Sequence, residues 1–186
     1  YVDGILAVKA MKLLGIDVER ASFDMTSLAP EVFAELTLNN KSIAIIGAQS
    51  EQNDSFCEII KRQYKGINIV FSRGGYFNNA HEREKLLAQI TEINPDVVVV
   101  GMGTPLQEQF LIDLRGSGWY GSGFTCGGFI HQTASAGGSY YPSLIKKLNL
   151  RWLYRMYDEP KLIKRYFKYY PLFLVYLLKD WYYSKK

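Results

Sequence analysis

One segment sets the architecture of this chain: Val97-Val98-Val99-Val100-Gly101-Met102-Gly103-Thr104-Pro105-Leu106-Gln107-Glu108-Gln109. The four valines predict a strand buried on both faces, because β-branched side chains pack well on a pleated surface. Gly101 and Gly103 permit a tight turn or the close approach of a ligand. Thr104 is suited to cap a helix and Pro105 to its first position, so we expect a helix from Leu106 onward. This arrangement points backbone N–H groups at one spot, as in the phosphate-binding turns of α/β proteins.

The glycine turn does not complete the dinucleotide-binding fingerprint. Its third glycine would belong at position 106, which is Leu106. From this segment alone, a nucleotide site and a plain structural turn both remain open.

Strand and helix patterns alternate along the rest of the chain. Strands are predicted over 42–47, 67–72, 97–100 and 121–126, and helices over 2–14, 30–38, 54–64, 79–93 and 106–114. The alternation predicts an α/β fold, a Rossmann-like parallel sheet flanked by helices. We expect this core to occupy residues 1–141 and a basic, aromatic helical appendage, opening with a short helix over 144–148, to occupy residues 142–186.

The excess positive charge of the chain lies in that appendage. Residues 144–186 hold 11 basic and 3 acidic residues, whereas the remainder holds 11 basic and 15 acidic ones. Its longest apolar run is too short to span a bilayer, and basic residues beside aromatic ones are typical of an interfacial helix. We therefore expect contact with an anionic membrane surface, with docking on the core or on another subunit as the alternative. No nucleic-acid partner is expected.

The sequence lacks the motifs of several kinds of metal and nucleotide site. Cys57, Cys126, His81 and His131 have no metal-ligand spacing, and neither a P-loop nor a D-x-D motif occurs. We therefore expect no metal and no cofactor, and a reducing cytoplasmic setting. Basic side chains would then have to neutralise a leaving diphosphate. The alternative interpretation of such side chains is a basic face that only contacts solvent. The candidates are Arg151, Arg155, Lys161, Lys164 and Arg165.

The start of the chain gives one more candidate. Asp3 precedes Gly4 and an apolar helical pattern, so its local interpretation is a helix N-cap. Because the chain begins at Tyr1 rather than Met, we expect that a natural N-terminal segment is missing.

Several motifs together resemble the WecG/TagA/CpsF glycosyltransferases. They are Asp3-Gly4, Gly75-Tyr76-Phe77, the Val100–Glu108 turn, Cys126-Gly127-Gly128-Phe129, and the tail elements around Trp152-Leu153-Tyr154-Arg155, Glu159-Pro160 and Arg165-Tyr166. They occur in family order over nearly the whole chain. The resemblance implies an inverting transfer of a sugar from a UDP-sugar to a polyprenyl-diphosphate-linked acceptor. It also implies a cytoplasmic enzyme at the inner face of the membrane, and family members of this kind can self-associate when the tail is absent.

The resemblance also assigns roles to residues. It implies that Asp3 is the general base that deprotonates the acceptor hydroxyl. The implied substrate and nucleotide residues are Arg20, Gly101, Gly103, Thr104, Gln107, Glu108, Gly127, Gly128, Arg155, Lys161 and Arg165. The chain departs from the family at His131, where an aspartate is usual, and at Tyr140-Tyr141-Pro142, where Arg-Ala-Pro is usual. It also has Leu162 at the position of a tail arginine, for which the neighbouring Lys161 is the candidate substitute. Two other functions stay open: an NAD-dependent Rossmann oxidoreductase and a non-catalytic membrane adaptor.

Overall fold

The computed structural model describes residues 2–137, 144–145, 148, 150–158 and 160–184, without the side chains of 161, 162, 165, 166 and 184. The chain forms two compact units, Ser22–Tyr140 and a second one made of Tyr1–Ala21 with Tyr141–Lys186. The predicted boundary between residues 141 and 142, the Tyr140-Tyr141-Pro142 motif and part of the predicted helix 144–148 lie outside the described residues.

The first unit contains a parallel sheet of four strands. These are β1 Ser42–Gly47, β2 Asn68–Arg73, β3 Val97–Gly101 and β4 Ser122–Thr125, in the order β2-β1-β3-β4. The central strands β1 and β3 run in register from Ile43 beside Val97 to Gly47 beside Gly101. All four carboxyl ends therefore lie at one edge of the sheet, which confirms the predicted α/β class.

Helices connect and follow the strands. In chain order the described ones are α1 Ile5–Leu13, α2 Leu28–Leu38, α3 Ser50–Gln63, α4 Ala80–Ile93, α5 Leu106–Gly116, α6 Phe129–Ala136, α7 Arg151–Asp158 and α8 Lys161–Ser184. Helices α2 to α6 belong to the first unit, and α1, α7 and α8 to the second. None of the helices, within the residues that the structure describes, is long and apolar enough to cross a membrane.

The core of the first unit has two layers because side chains alternate across β1 and β3. Val97 and Val99 pack with Phe33, Phe56 and Phe129 on one face of the sheet. Val98 and Val100 pack on the other face with a cluster that includes Leu86 and Phe110. All four valines are apolar because helices cover both faces of this strand.

Two predicted helix caps are wrong. The N-cap of α1 is Gly4, without a side-chain hydrogen bond, and Asp3 instead lies beside Arg20. The N-cap of α5 is Pro105, and the Thr104 hydroxyl donates to Glu108 Oε1 instead of accepting from a backbone N–H of the helix. In both cases the side chain contacts another side chain, Arg20 for Asp3 and Glu108 for Thr104, rather than capping the first turn of the helix.

Candidate active site

In open α/β sheets of this kind, ligands bind in the crevice outside the carboxyl ends of the strands. The chain leaves β1 for β2 on one side and later places β3 on the other side of β1. Ligands of open α/β sheets bind where the direction of the strand order reverses in this way. The candidate site of the first unit therefore lies at the ends of β1 and β3, beside the turns that follow them.

Glycines let these turns approach each other closely. A Cβ on Gly47 would lie 2.5 Å from the carbonyl oxygen of Gly101. A Cβ on Gly101 would lie 3.0 Å from each of Cys126 Sγ, the Gly127 oxygen and Ile130 Cδ1. Backbone from β1, β3 and the turn after β4 thus meets at Gly101, and side chains are excluded there by contact rather than by backbone conformation.

A buried glutamine links the turn after β3 to the turn after β4. Gln107 is 6% exposed, and its Oε1 accepts a 3.0 Å hydrogen bond from the Gly127 N–H. Its Nε2 donates to Glu108 Oε1 at 2.8 Å, and the Thr104 hydroxyl donates to the same oxygen at 3.0 Å. Both ends of the Gln107 amide are therefore used to hold protein groups in place.

Glu108 also presents an unsatisfied acceptor. Its Oε2 is buried and has no hydrogen-bond partner among the described residues. A buried carboxylate oxygen without a donor is costly, so it favours a ligand or water that donates a hydrogen bond. A sugar or ribose hydroxyl has that chemistry.

A second side-chain link joins α3 and α6 at the same edge. Gln49 and Gln52 form a reciprocal capping box, in which Gln52 Oε1 accepts from the Gln49 N–H at 3.2 Å. The Nε2 of Gln52 lies 2.8 Å from His131 Nδ1. This box begins α3 at Ser50, four residues before the predicted start. Sequence reasoning missed Gln49 and Gln52, because glutamine is not among the usual N-cap residues and only Gln52, at i+3, matches the capping-box pattern.

The cysteines near this edge are not nucleophiles. Burial raises the pKa of the Cys126 thiol to about 12, although the Ile130 N–H donates to its sulfur and opposes the shift. Burial also raises the pKa of Cys57 to about 11. Nucleophilic catalysis needs a thiolate, which neither cysteine provides near neutral pH. Within the described part of the chain, no group of three His, Cys, Asp or Glu side chains is placed to hold a metal ion.

Five of the predicted site residues belong to the second unit: Asp3, Arg20, Arg155, Lys161 and Arg165. Val2 and Arg20 pair as a parallel β-bridge, which is extended by the Ala21 N–H donating to the Val2 oxygen at 3.0 Å. This pairing brings Arg20 Nη2 to 3.7 Å from Asp3 Oδ1. The Asp3 side chain is 62% exposed and that of Arg20 is 22% exposed. Asp3 and Arg20 thus form one cluster with an accessible carboxylate.

The tail residues lie on two helices. Arg155 is in the last turn of α7, and Lys161 and Arg165 are in the first turns of α8. The structure does not describe the side chains of Lys161 and Arg165. Of the predicted residues, the structure brings together Gly101, Gly103, Thr104, Gln107, Glu108 and Gly127. The Gly103 oxygen accepts from the Gln107 N–H at 3.1 Å, and Gly128 is the N-cap of α6.

The chain matches known proteins over its whole length. The family model described as "Glycosyl transferase WecG/TagA/CpsF family" matches residues 1–186. The chain is similar to the UDP-Gal:alpha-D-GlcNAc-diphosphoundecaprenol beta-1,4-galactosyltransferase of Shigella boydii. The two are 34% identical over 181 residues, which are 97% of this chain and 76% of that protein.

Proposed function

Because the chain belongs to the WecG/TagA/CpsF family of glycosyl transferases, we propose that it transfers a sugar from a UDP-sugar to an acceptor linked to polyprenyl diphosphate. The observation that carries this proposal is the 34% identity, over 97% of the chain, to an enzyme named for such a transfer. UDP-galactose is the first donor to test. Such a reaction belongs to the synthesis of bacterial exopolysaccharide or cell-wall polymer.

The crevice of the first unit would hold the nucleotide sugar. Close packing of Gly47 and Gly101 brings the turns together, and the space beside Gly127, where a Cβ would meet nothing within 4 Å, would leave its backbone accessible to a ligand. Gln107 would act mainly by fixing the Gly127 turn, because both ends of its amide already bind protein groups. Glu108 Oε2 would accept a hydrogen bond from a hydroxyl of the donor.

Asp3 would be the general base of the transfer. Its carboxylate removes the proton of the acceptor hydroxyl, the oxygen attacks the anomeric carbon, and the bond from that carbon to UDP breaks with inversion. The exposure of Asp3 leaves it accessible to an acceptor, and Arg20 orients it from 3.7 Å. A base must reach the proton that it removes, so position decides this role before acidity does.

Basic side chains would stabilise the departing diphosphate without a metal ion. Arg155, Lys161 and Arg165 are the candidates, since guanidinium and ammonium groups form strong charge-assisted hydrogen bonds with phosphate oxygens. In this proposal no cofactor takes part, and the UDP-sugar is a substrate.

Helix α8 would bring the enzyme to the cytoplasmic face of the membrane. Apolar and aromatic side chains along it are exposed, among them Phe167 at 74%, Val175 at 61% and Leu178 at 59%. Residues 161–184 also carry five basic residues and one acidic residue. Exposed rings beside basic groups fit an anionic lipid surface, and a homo-oligomer is the other occupant of this helix to test.

A transfer assay tests the proposal. The chain is incubated in EDTA with a short-chain GlcNAc-diphospho-lipid and UDP-galactose, in parallel with UDP-glucose and UDP-N-acetylglucosamine, and product and released UDP are measured. We expect one donor to give a lengthened acceptor and an equal amount of UDP. An adaptor would bind lipid vesicles and transfer no sugar, and an oxidoreductase would bind NADH. Either result would contradict the proposal.

A further inference from the structure

The contact between Gln52 and His131 fixes the position of a proton. The backbone N–H of Gln49 can only donate, so the Gln52 atom that faces it at 3.2 Å is the oxygen. The other end of the amide, which faces His131 Nδ1 at 2.8 Å, is then the nitrogen Nε2, which also can only donate. Nδ1 must therefore accept, and a neutral His131 carries its proton on Nε2.

That Nε2 is available to a ligand. Within the described residues it has no hydrogen-bond partner, and it is not among the buried unsatisfied atoms. His131 itself is half-buried, so its ring is held in place while one edge remains accessible. The ring thus offers one oriented N–H.

The position of His131 indicates which acceptor this N–H would meet. His131 is the third residue of α6, which follows Gly127-Gly128 at the carboxyl end of β4. Gln52 is the third residue of α3, which follows the carboxyl end of β1. The positive ends of two helix dipoles therefore point toward this place, which favours an anionic acceptor. Glu51 is the acidic residue in the first turn of α3, and α6 has none there.

We propose that His131 binds a phosphate oxygen of the UDP-sugar as a neutral N–H donor, and that Gln52 is the positioning residue that keeps its proton on Nε2. This inference rests on the proposed function. A donor fixed by the fold binds the diphosphate in the ground state and as the negative charge on the leaving UDP grows. The diphosphate of the lipid acceptor offers the same oxygen chemistry and is a separate arm of the test.

Nitrogen-15 NMR of the histidine rings tests the proton position directly. The chain has only two histidines, so His81, on the exposed first turn of α4, is an internal reference. Spectra are recorded at a pH at which the ring shifts report neutral imidazole. We expect the His131 Nδ1 shift of an unprotonated nitrogen and the Nε2 shift of a protonated one. Addition of UDP should move the His131 signals and leave those of His81 in place.

The Gln52→Glu variant then moves the proton. A glutamate keeps the volume and still accepts from the Gln49 N–H, so α3 stays capped, but it can only accept from His131. Because a carboxylate also favours the charged imidazolium, binding is measured at a pH at which the nitrogen-15 shifts of the variant report a neutral ring. There the proton should lie on Nδ1 and a bare nitrogen should face the phosphate, which weakens UDP binding about tenfold. Gln63→Glu, at the exposed end of the same helix, is the control for added charge.

A double-mutant cycle separates this effect from repulsion between the introduced carboxylate and UDP. In a His131→Phe background, Gln52→Glu should weaken UDP binding less than about twofold, because the ring nitrogen is gone. An equal loss in both backgrounds would overturn the inference, as would a proton on Nδ1 in the wild-type chain.

Titration with UDP and with farnesyl diphosphate distinguishes the remaining outcomes. UDP binding that leaves His131 unmoved would overturn the inference while the proposed function stands. Farnesyl diphosphate moving His131 where UDP does not would assign the ring to the acceptor and overturn the UDP role. Failure of the wild-type chain to bind UDP would overturn the proposed function itself.

Discussion

Truncation of Gln107 tests whether this side chain builds the site or only touches the ligand. Gln107→Ala removes the acceptor of the Gly127 N–H and the donor to Glu108 Oε1 in one change. The resemblance of the β3 turn implies contact with the nucleotide sugar, whereas the structure shows both ends of the amide bound to protein. The two roles predict different effects on the free protein.

The expected cost follows from the two lost hydrogen bonds. An unpaired buried N–H costs about 1–3 kcal/mol, and a hydrogen bond to a charged group contributes about 1.5–3 kcal/mol. Gly127 and Glu108 are half-buried, so water replaces part of each bond and the lower ends apply. We expect a loss of about 3 kcal/mol in the free energy of unfolding, or a fall of about 6–12 °C in Tm for a chain of this size.

Urea denaturation followed by circular dichroism measures this loss, with Gln109→Ala as the matched control. Gln109 is on the same helix, is exposed, and its amide donates to Asp113 at 2.8 Å. We expect that variant to lose less than about 0.5 kcal/mol. If Gln107→Ala were no less stable than Gln109→Ala and yet bound UDP poorly, Gln107 would be a direct ligand contact and the positioning argument would be refuted.

Three further predictions concern the base, the tail and the strand ends. Asp3→Asn should abolish sugar transfer while calorimetry shows unchanged UDP affinity, and near-full turnover would disprove the base assignment. Arg155→Ala should weaken UDP binding about tenfold, as expected for one charge-assisted phosphate contact, and unchanged affinity would remove Arg155 from the site. The Ser42 hydroxyl and N–H donate to Asp96 at 2.6 and 2.8 Å and hold the pKa of that carboxyl below its usual range. A lowered folded pKa gives stability that is lost as pH falls below about 4, and water screens this exposed carboxylate, so Asp96→Asn should cost at most about 1 kcal/mol at neutral pH. Urea denaturation at neutral pH and below about pH 4 should show that the stability difference between wild type and Asp96→Asn disappears in acid. A difference that persisted in acid would contradict this role of the Ser42 hydrogen bonds.

The fold could be predicted because its signals are local. Val97 to Val100 form an uninterrupted β-branched run, and that run requires a strand covered on both faces. Gly101 could be predicted to lie at a turn, since a run of valines that ends in glycine marks the end of a buried strand. The structure adds the reason for this glycine, which is contact with Cys126 and Gly127.

The candidate site could be predicted only in part because its contacts join distant segments. Gln52 and His131 are 79 residues apart, and their contact depends on how α3 packs beside α6. Helix α6 was not predicted, because it has only eight residues and follows two glycines directly. Asp3 looks like a cap locally, but the pairing of Val2 with Arg20 places Arg20 beside it, and Thr104 donates to Glu108 four residues along the chain.

Calorimetric titration of the wild-type chain with UDP in EDTA, with NADH as the control, tests the central claim most directly. A glycosyltransferase that neutralises diphosphate with its own basic groups should bind UDP without a metal ion and should not bind NADH. Binding of NADH, or no binding of UDP by a folded sample, would contradict the claim.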